Sequence, residues 1–310
     1  MSSYTCSHLS DNSQHTRPRV LRNPHASTPH SISAPTDQAI ESFHRQLPSY
    51  GETQLHSLPA IAKQLGFAHV FLKDESTRFG LPSFKIAGSS WSMHQVLCQQ
   101  LELPVSTPMA DVRDALQSSA SDLNVVTTTE GNWGRSVGRM AKYYGIKARI
   151  YVPGYMPAYT QNLIRGEGAE VIVLEGGSYD DSVAKSIQDS KETGALLVMD
   201  VAFDDYVRIP RWVSDGYSTI LTETDRQVKE ATGGKGVDFA SSSRVGFEAE
   251  LRGDVVGCCV RVLGCLGHGG GVGEGAVQWE LVKFAEGCVG AWVVLDAQYS
   301  DRVYRNDMRD

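Results

Sequence analysis

No part of the chain stays apolar long enough to cross a bilayer as a helix, which takes about 20 such residues in succession. The opening MSSYTCSHLSDNSQHTRPRV lacks the apolar core of a secretory signal, and its Ser and Arg residues come with an acid and no clear amphipathic face. A cytoplasmic location is therefore expected. Paired cysteine spacing is missing too. Cys6 and Cys98 stand alone, while Cys258, Cys259, Cys265 and Cys288 crowd the last third without any CxxC pair. That argues for free thiols in a reducing compartment, with no metal site and no disulfide framework. Positive charge is in short supply: the net charge of −7 repels phosphates on average and disfavours a nucleic-acid partner. Neither short repeats nor low-complexity tracts suggest a solenoid. What is present is ordinary globular material, 41% hydrophobic and 21% charged over 310 residues, enough for one large core or two modest ones.

Residues 1–36 are rich in Ser, His, Pro and Asn and read as a tail or an extended surface strap without regular structure. The text changes at Asp37. TDQAIESFHRQL places Ile40, Phe43 and Leu47 at three- and four-residue intervals, which predicts a helix. LPAIAKQLG predicts a second helix, and AHVFLKD a buried strand. Strands and helices then alternate. NVVTTT, KARIYVP, AEVIVLEGG and ALLVMD are β-rich. Between them, GRSVGRMAKYYG puts Val137, Met140, Ala141 and Tyr144 on one helical face closed by Gly145, and YTQNLIRGEG and DDSVAKSIQDSKETG continue the pattern. Such alternation predicts right-handed crossovers and a parallel sheet flanked by helices, an α/β fold. Ligands of such sheets gather beyond the carboxyl ends of the strands. Glu130, after NVVTTT, and Asp200, ending ALLVMD, both fall on that rim; each could equally be a helix cap or a solvated loop charge.

Three blocks carry a resemblance. KDESTRFGLPSFKIAGSSW at residues 73–91 closely resembles the cofactor-lysine region of diaminopropionate ammonia-lyases. Those enzymes belong to the tryptophan-synthase-β-like, fold-type II family of pyridoxal-phosphate enzymes. TTTEGNWGR at 127–135 is similar to the family's strand-turn-helix with its ring-contacting asparagine, and MDVAFDDYVRIPRWVSDGYSTI at 199–220 to the segment after the small domain. The upstream FHRQLPSYGETQLHSLPAIAKQLG also fits, so the likeness runs from about residue 37 to 230. Serine/threonine dehydratases of the same superfamily usually carry Arg two residues after the lysine, where FKIAG has Ala87; that favours the diaminopropionate branch.

The resemblance implies pyridoxal 5'-phosphate as cofactor, a small amino-acid substrate and a homodimer. It implies a large cofactor domain from residues 37–88 and 204–240, a small α/β domain from 89–203, and an atypical segment from 241–310. Lys85 is the implied cofactor lysine. A Schiff-base lysine must lose its charge, and apolar neighbours such as Phe84, Ile86 and Ala87 assist by desolvation. Asn132 is implied to hydrogen-bond the cofactor's phenolic oxygen, although Gly131-Asn132 is also good turn chemistry, and Trp133 stands where the family usually has His. Glu130 and Asp200 match the two acids thought to serve D- and L-diaminopropionate on opposite faces. The family often has Asp at the first position, and a carboxylate misplaced by ~1 Å can cost on the order of a hundredfold in rate, which weakens the case for the D-isomer. The implied reaction is an α,β-elimination ending in pyruvate and ammonia.

After about Asp238-Phe239 the family pattern stops, leaving the large domain incomplete, with a sheet edge exposed. An intact member continues with a strand and a Gly-rich phosphate loop. Here the text becomes ASSSRVGFEAELRGDVVGCC, and the tract GHGGGVGEG at 267–275 lies too far downstream for the usual element and reads as a linker. A shifted reading frame or retained intron is the expected cause of the change, since GTC repeats coding a Val strand would read as Ser when displaced by one base, as in the Ser241–Ser243 run. A chain that keeps the lysine motif but cannot grip the cofactor phosphate is the alternative to an active lyase.

Overall fold

The computed structural model describes residues 3–7, 14–18, 37–65, 67–119, 123–237, 239–242 and 289–294. The chain divides into two compact units, one from residues 1–32, 55–73 and 228–294, the other from 33–54, 74–227 and 295–310.

In the first unit, β1 (Ser3–Ser7) and β2 (Gln14–Pro18) pair antiparallel, with Ser3 opposite Pro18 and Ser7 opposite Gln14. Composition predicted no regular structure here. The difference has a local cause: Tyr4, Thr5 and Thr16 are β-prone, although a two-stranded ribbon alone is of marginal stability. The same unit holds β3 (Leu55–Ser57), α2 (Pro59–Leu65) and most of β4 (His69–Asp74). It also holds β9 (Phe239–Ser242) and β10 (Val289–Val294). Their sheet has the order β3-β4-β10-β9, with β3 and β4 antiparallel and β9 and β10 parallel. Phe71 and Val228 are buried together in this unit, with Leu55 and Val237 packed against them.

The second unit starts with α1 (Asp37–His44), whose apolar spacing buries Ile40 and Phe43 as predicted, with Leu47 buried just beyond its end. It continues with a 3-10 turn at Arg78–Gly80, α3 (Lys85–Gln100) and α4 (Met109–Ser118). Next come β5 (Asn124–Thr128), α5 (Asn132–Tyr144), β6 (Lys147–Pro153), α6 (Ala158–Gly166) and β7 (Glu170–Leu174). The unit ends with α7 (Tyr179–Thr193), β8 (Leu196–Leu197), α8 (Arg208–Gly216) and most of α9 (Ser218–Thr232). Val137, Met140, Ala141 and Tyr144 are buried on one face of α5, and Gly145 closes it at φ 73°. A capping box starts α7: Ser178 Oγ accepts from the Asp181 N–H at 3.2 Å while the Asp181 carboxylate accepts from the Ser178 N–H at 2.8 Å.

The sheet of this unit is wholly parallel, in the order β7-β6-β5-β8. The chain builds outward from β5 to β6 and β7, then returns through α7 to the other side of β5. The order therefore reverses between β5 and β8, and their carboxyl ends open the crevice where such sheets bind ligands. One predicted strand is shorter than expected: ALLVMD pairs only at Leu196 and Leu197, so Asp200 lies three residues past the ladder.

Helix α3 is buried from Lys85 to Cys98 despite three serines, a histidine and a glutamine. The serine hydroxyls turn back on their own helix, Ser90 Oγ donating to Ala87 O at 3.1 Å and Ser92 Oγ to Ser89 O at 3.2 Å. Crossing α8 brings backbone almost against backbone. A Cβ on Gly216 would lie 2.5 Å from Ala87 O, and one on Gly88 would lie 2.6 Å from the Tyr217 ring. This glycine-to-glycine crossing seats the lysine-bearing end of α3. Among the described residues no helix is long and apolar enough to cross a membrane.

Candidate active site

Lys85 is the first residue of α3, and its side chain is 5% exposed. Burying an ammonium is costly unless it is paired. Its Nζ donates to Asp200 Oδ2, and the rings of Phe84 and Trp133 lie 5.4 and 5.6 Å from Nζ. Two residues that the sequence separates by 115 positions are thus an ion pair at the switch point. The loop leading to Lys85 is fixed by a fully buried cluster. Arg78 donates to Glu75 Oε2 at 2.6 Å, to Glu223 Oε1 at 2.8 Å and to Thr53 Oγ1 at 2.9 Å. Burial opposes the guanidinium's charge, but the Glu75 and Glu223 carboxylates more than offset it, so Arg78 is held above its usual range. Phe79, next in the chain, sits at φ 46°, a strained conformation this cluster holds in place.

Asn132 opens α5, half-buried, at the end of a turn organised by Thr129. Thr129 Oγ1 accepts from the Gly131 N–H at 2.9 Å and from the Gly134 N–H at 3.0 Å, so two N–H groups at the helix start find one buried oxygen. Trp133, the departure from the family pattern, is buried and donates from Nε1 to Thr127 Oγ1 at 3.0 Å, which fixes its ring beside Lys85. Glu130 is exposed on the rim of the same turn and accepts from the Tyr155 hydroxyl. Burial first, then this hydrogen bond, pushes the Tyr155 phenol up to about 12.

Of the expected site residues, Lys85, Asp200 and Phe84 come together directly, while Glu130 is tied to Tyr155 instead. Sequence reasoning missed Thr129, Tyr155 and Tyr206. The TTT run ending β5 was the only signal for the first, and the other two are aromatics on separate loops. Ala87, the residue two after the lysine in FKIAG, is fully buried, and its carbonyl lies 3.0 Å from His44 Nε2.

The residues present fit pyridoxal phosphate at its aldehyde and ring end: a buried lysine paired with a carboxylate, aromatic walls, and an asparagine at a helix start. The tract 267–275, weighed above as a phosphate loop, lies outside the described residues, as do Cys258, Cys259, Cys265 and Cys288. Cys98 is a buried free thiol, and among the described residues no group of three or more His, Cys, Asp and Glu side chains could hold a metal ion.

Comparison with known proteins places the chain beside ammonia-lyases and dehydratases. A diaminopropionate ammonia-lyase from Salmonella typhimurium is 33% identical over 193 residues, 62% of this chain and 48% of that protein. An L-threonine dehydratase from Corynebacterium glutamicum is 28% identical over 148 residues, 47% of this chain and 29% of that one. The crystal structure of Escherichia coli diaminopropionate ammonia-lyase in apo form superposes with a TM-score of 0.62 at 30% identity, covering 72% of this chain and 59% of that one. The chain spans about half the length of the curated ammonia-lyases it matches. The pattern of the family described as pyridoxal-phosphate dependent enzyme matches residues 47–241, ending where the sequence changes character. With that match, and with a fold-type II architecture around a buried lysine, the chain belongs to the pyridoxal-phosphate dependent enzyme family.

Proposed function

We propose that this chain is a pyridoxal-phosphate-dependent carbon–nitrogen lyase that converts 2,3-diaminopropionate and water to pyruvate and two molecules of ammonia. The buried Lys85–Asp200 pair carries the reading. When bound, pyridoxal phosphate supplies an electron sink that acidifies the substrate's α C–H bond. Lys85 would hold the cofactor covalently, Asn132 would hydrogen-bond its ring, and Phe84 and Trp133 would wall it. Asp200 Oδ2 accepts from Lys85 Nζ and so holds and orients the ammonium. The same carboxylate then serves one face of the substrate as base, and Glu130, with the Tyr155 hydroxyl on its oxygen, serves the other. Loss of the α-proton and departure of the β-amino group complete the elimination. The 33% identity to an ammonia-lyase, and Ala87 where the resemblance gives dehydratases an arginine, support diaminopropionate over threonine or serine.

The test adds pyridoxal phosphate to the purified chain. Visible absorbance of a lysine-bound cofactor is expected in the wild type and absent from Lys85→Ala. Release of the 2-oxo acid (pyruvate from diaminopropionate and serine, 2-oxobutyrate from threonine) is expected to be fastest from L-diaminopropionate, slower from the D-isomer, and slowest from threonine and serine. A wild-type protein without that absorbance overturns the lyase reading and favours a chain that keeps the lysine motif without retaining the cofactor. Threonine as the fastest substrate makes it a dehydratase.

A further inference from the structure

We propose that Tyr206 is a positioning residue that holds Asp200 against Lys85. This rests on the reading of Lys85 and Asp200 as the working pair. The need for such a device follows from how short β8 is. Its ladder ends at Leu197, and beyond it Val198 N still donates to Val126 O at 3.0 Å. From there the backbone peels away from the sheet. The Tyr206 hydroxyl takes over: it donates to Leu197 O at 2.8 Å and accepts from the Met199 N–H at 3.0 Å. One phenol oxygen thereby closes on the chain from both sides, immediately before Asp200.

The loop between them is built to return Tyr206 to that place. Tyr206 N donates to Phe203 O at 2.8 Å, Asp204 turns the chain at φ 44°, and the Phe203 and Tyr206 rings stack at 4.8 Å with 8° between their planes. Asp200 and Tyr206 are thus the two ends of one closed loop. Burial, the dominant influence on the phenol, raises it well above its usual range and keeps it protonated and able to donate. Val198 and Met199 are buried, so the backbone that the hydroxyl fixes is also anchored by its side chains. Only the direction of the next residue is left to set, and the next residue is Asp200.

The test uses the full chain without cofactor, so a failure to bind pyridoxal phosphate leaves it intact. Acetic anhydride at neutral pH labels lysines as free amines, and mass spectrometry reads the Lys85 peptide against exposed lysines such as Lys185. Asp200→Asn is expected to speed Lys85 labelling about tenfold, because the ammonium loses its charged partner. Tyr206→Phe keeps the ring stack, removes the hydroxyl, and is expected to speed it about threefold or more. In the Asp200→Asn background the same change is expected to add nothing, since the partner it positions is already gone. Tyr144→Phe, which removes a buried hydroxyl 2.8 Å from His94 Nδ1, is the control for general loosening and is expected to leave Lys85 unchanged. A wild-type rate in Tyr206→Phe overturns the proposal. So does an equal increase in the Asp200→Asn background, or a speeding of Lys85 by Tyr144→Phe. Should Tyr206→Phe fail to fold, Phe203→Leu loosens the stack and keeps the hydroxyl; a smaller increase supports the proposal and no increase overturns it.

Discussion

The crossing of α3 and α8 can be tested by adding one carbon atom. In Gly216→Ala the new Cβ would stand 2.5 Å from Ala87 O, 2.9 Å from Gly88 Cα and 3.0 Å from Trp91 Cβ. Two of the three are backbone atoms, so no rotamer change relieves them. An ordinary contact lies at roughly 3.5–4.0 Å, so the helices must part by about 1 Å. Overpacking of this kind costs about 1–3 kcal/mol, and the better helix propensity of Ala returns at most about 1 kcal/mol. A net loss near 2 kcal/mol corresponds to a melting temperature lower by about 4–8 °C for a chain of this size. The shift also reaches chemistry, because Lys85 lies one helical turn from Gly88, and ~1 Å of misplacement can cost on the order of a hundredfold in rate. Gly88→Ala meets the Tyr217 ring and Val213 Cγ1 at 2.6 and 2.8 Å, side chains with some freedom, and is expected to lose less. Gly166, with nothing within 4 Å of its built Cβ, is the internal standard: Gly166→Ala should gain about 0.5–1 kcal/mol. Thermal unfolding followed by circular dichroism ranks the three. Gly216→Ala melting at or above the wild type would refute the tight crossing.

Thr129→Val keeps the shape but strips the oxygen from the Gly131 and Gly134 N–H groups; a loss of about 2 kcal/mol in urea unfolding is expected, and wild-type stability counts against the pinned turn. His44 is fully buried, and the Ala87 carbonyl can only accept, so Nε2 carries the proton and Nδ1 accepts from Thr219. Burial pushes this ring down to about 3, below the 6.5 of an unfolded chain. Between pH 6.5 and about 3 the unfolded chain binds a proton that the folded chain refuses, so stability falls with pH by up to ~1.4 kcal/mol per unit there and is flat above. In His44→Gln that slope should be shallower by one proton; equal slopes would sink the assignment. For the segment after residue 241, translating the gene in its other two frames is expected to give a Val-rich strand followed by a Gly loop, and finding neither rejects a shifted frame.

Legibility in the sequence tracked how local each cause was. The helix over Asp37–His44 and the buried face of α5 follow from spacings of three and four residues, which depend on nothing outside the segment. The rim position of Glu130 is similarly local, since it follows from where β5 ends. Its partner is not local: Tyr155 belongs to the loop after β6, and only the parallel register of β5 and β6 brings the two side by side. Arg78 makes the same point more sharply. An arginine in a loop reads as solvated, yet here it is fully buried, because Glu223 reaches it from 145 residues away. ALLVMD is cut short as a strand for a related reason. Its last residues have the β-prone composition, but the Leu197 carbonyl and the Met199 N–H are claimed by the Tyr206 hydroxyl rather than by β5. Propensity cannot register that competition, since it lies between a sheet ladder and a side chain on a later loop. Of the site residues named from sequence, Glu130 and Asp200 were placed by strand ends, and Lys85, Phe84 and Asn132 by the resemblance. The residues that hold them there, Thr129, Tyr155 and Tyr206, contribute a single oxygen each, and one oxygen at the right point leaves no periodic trace.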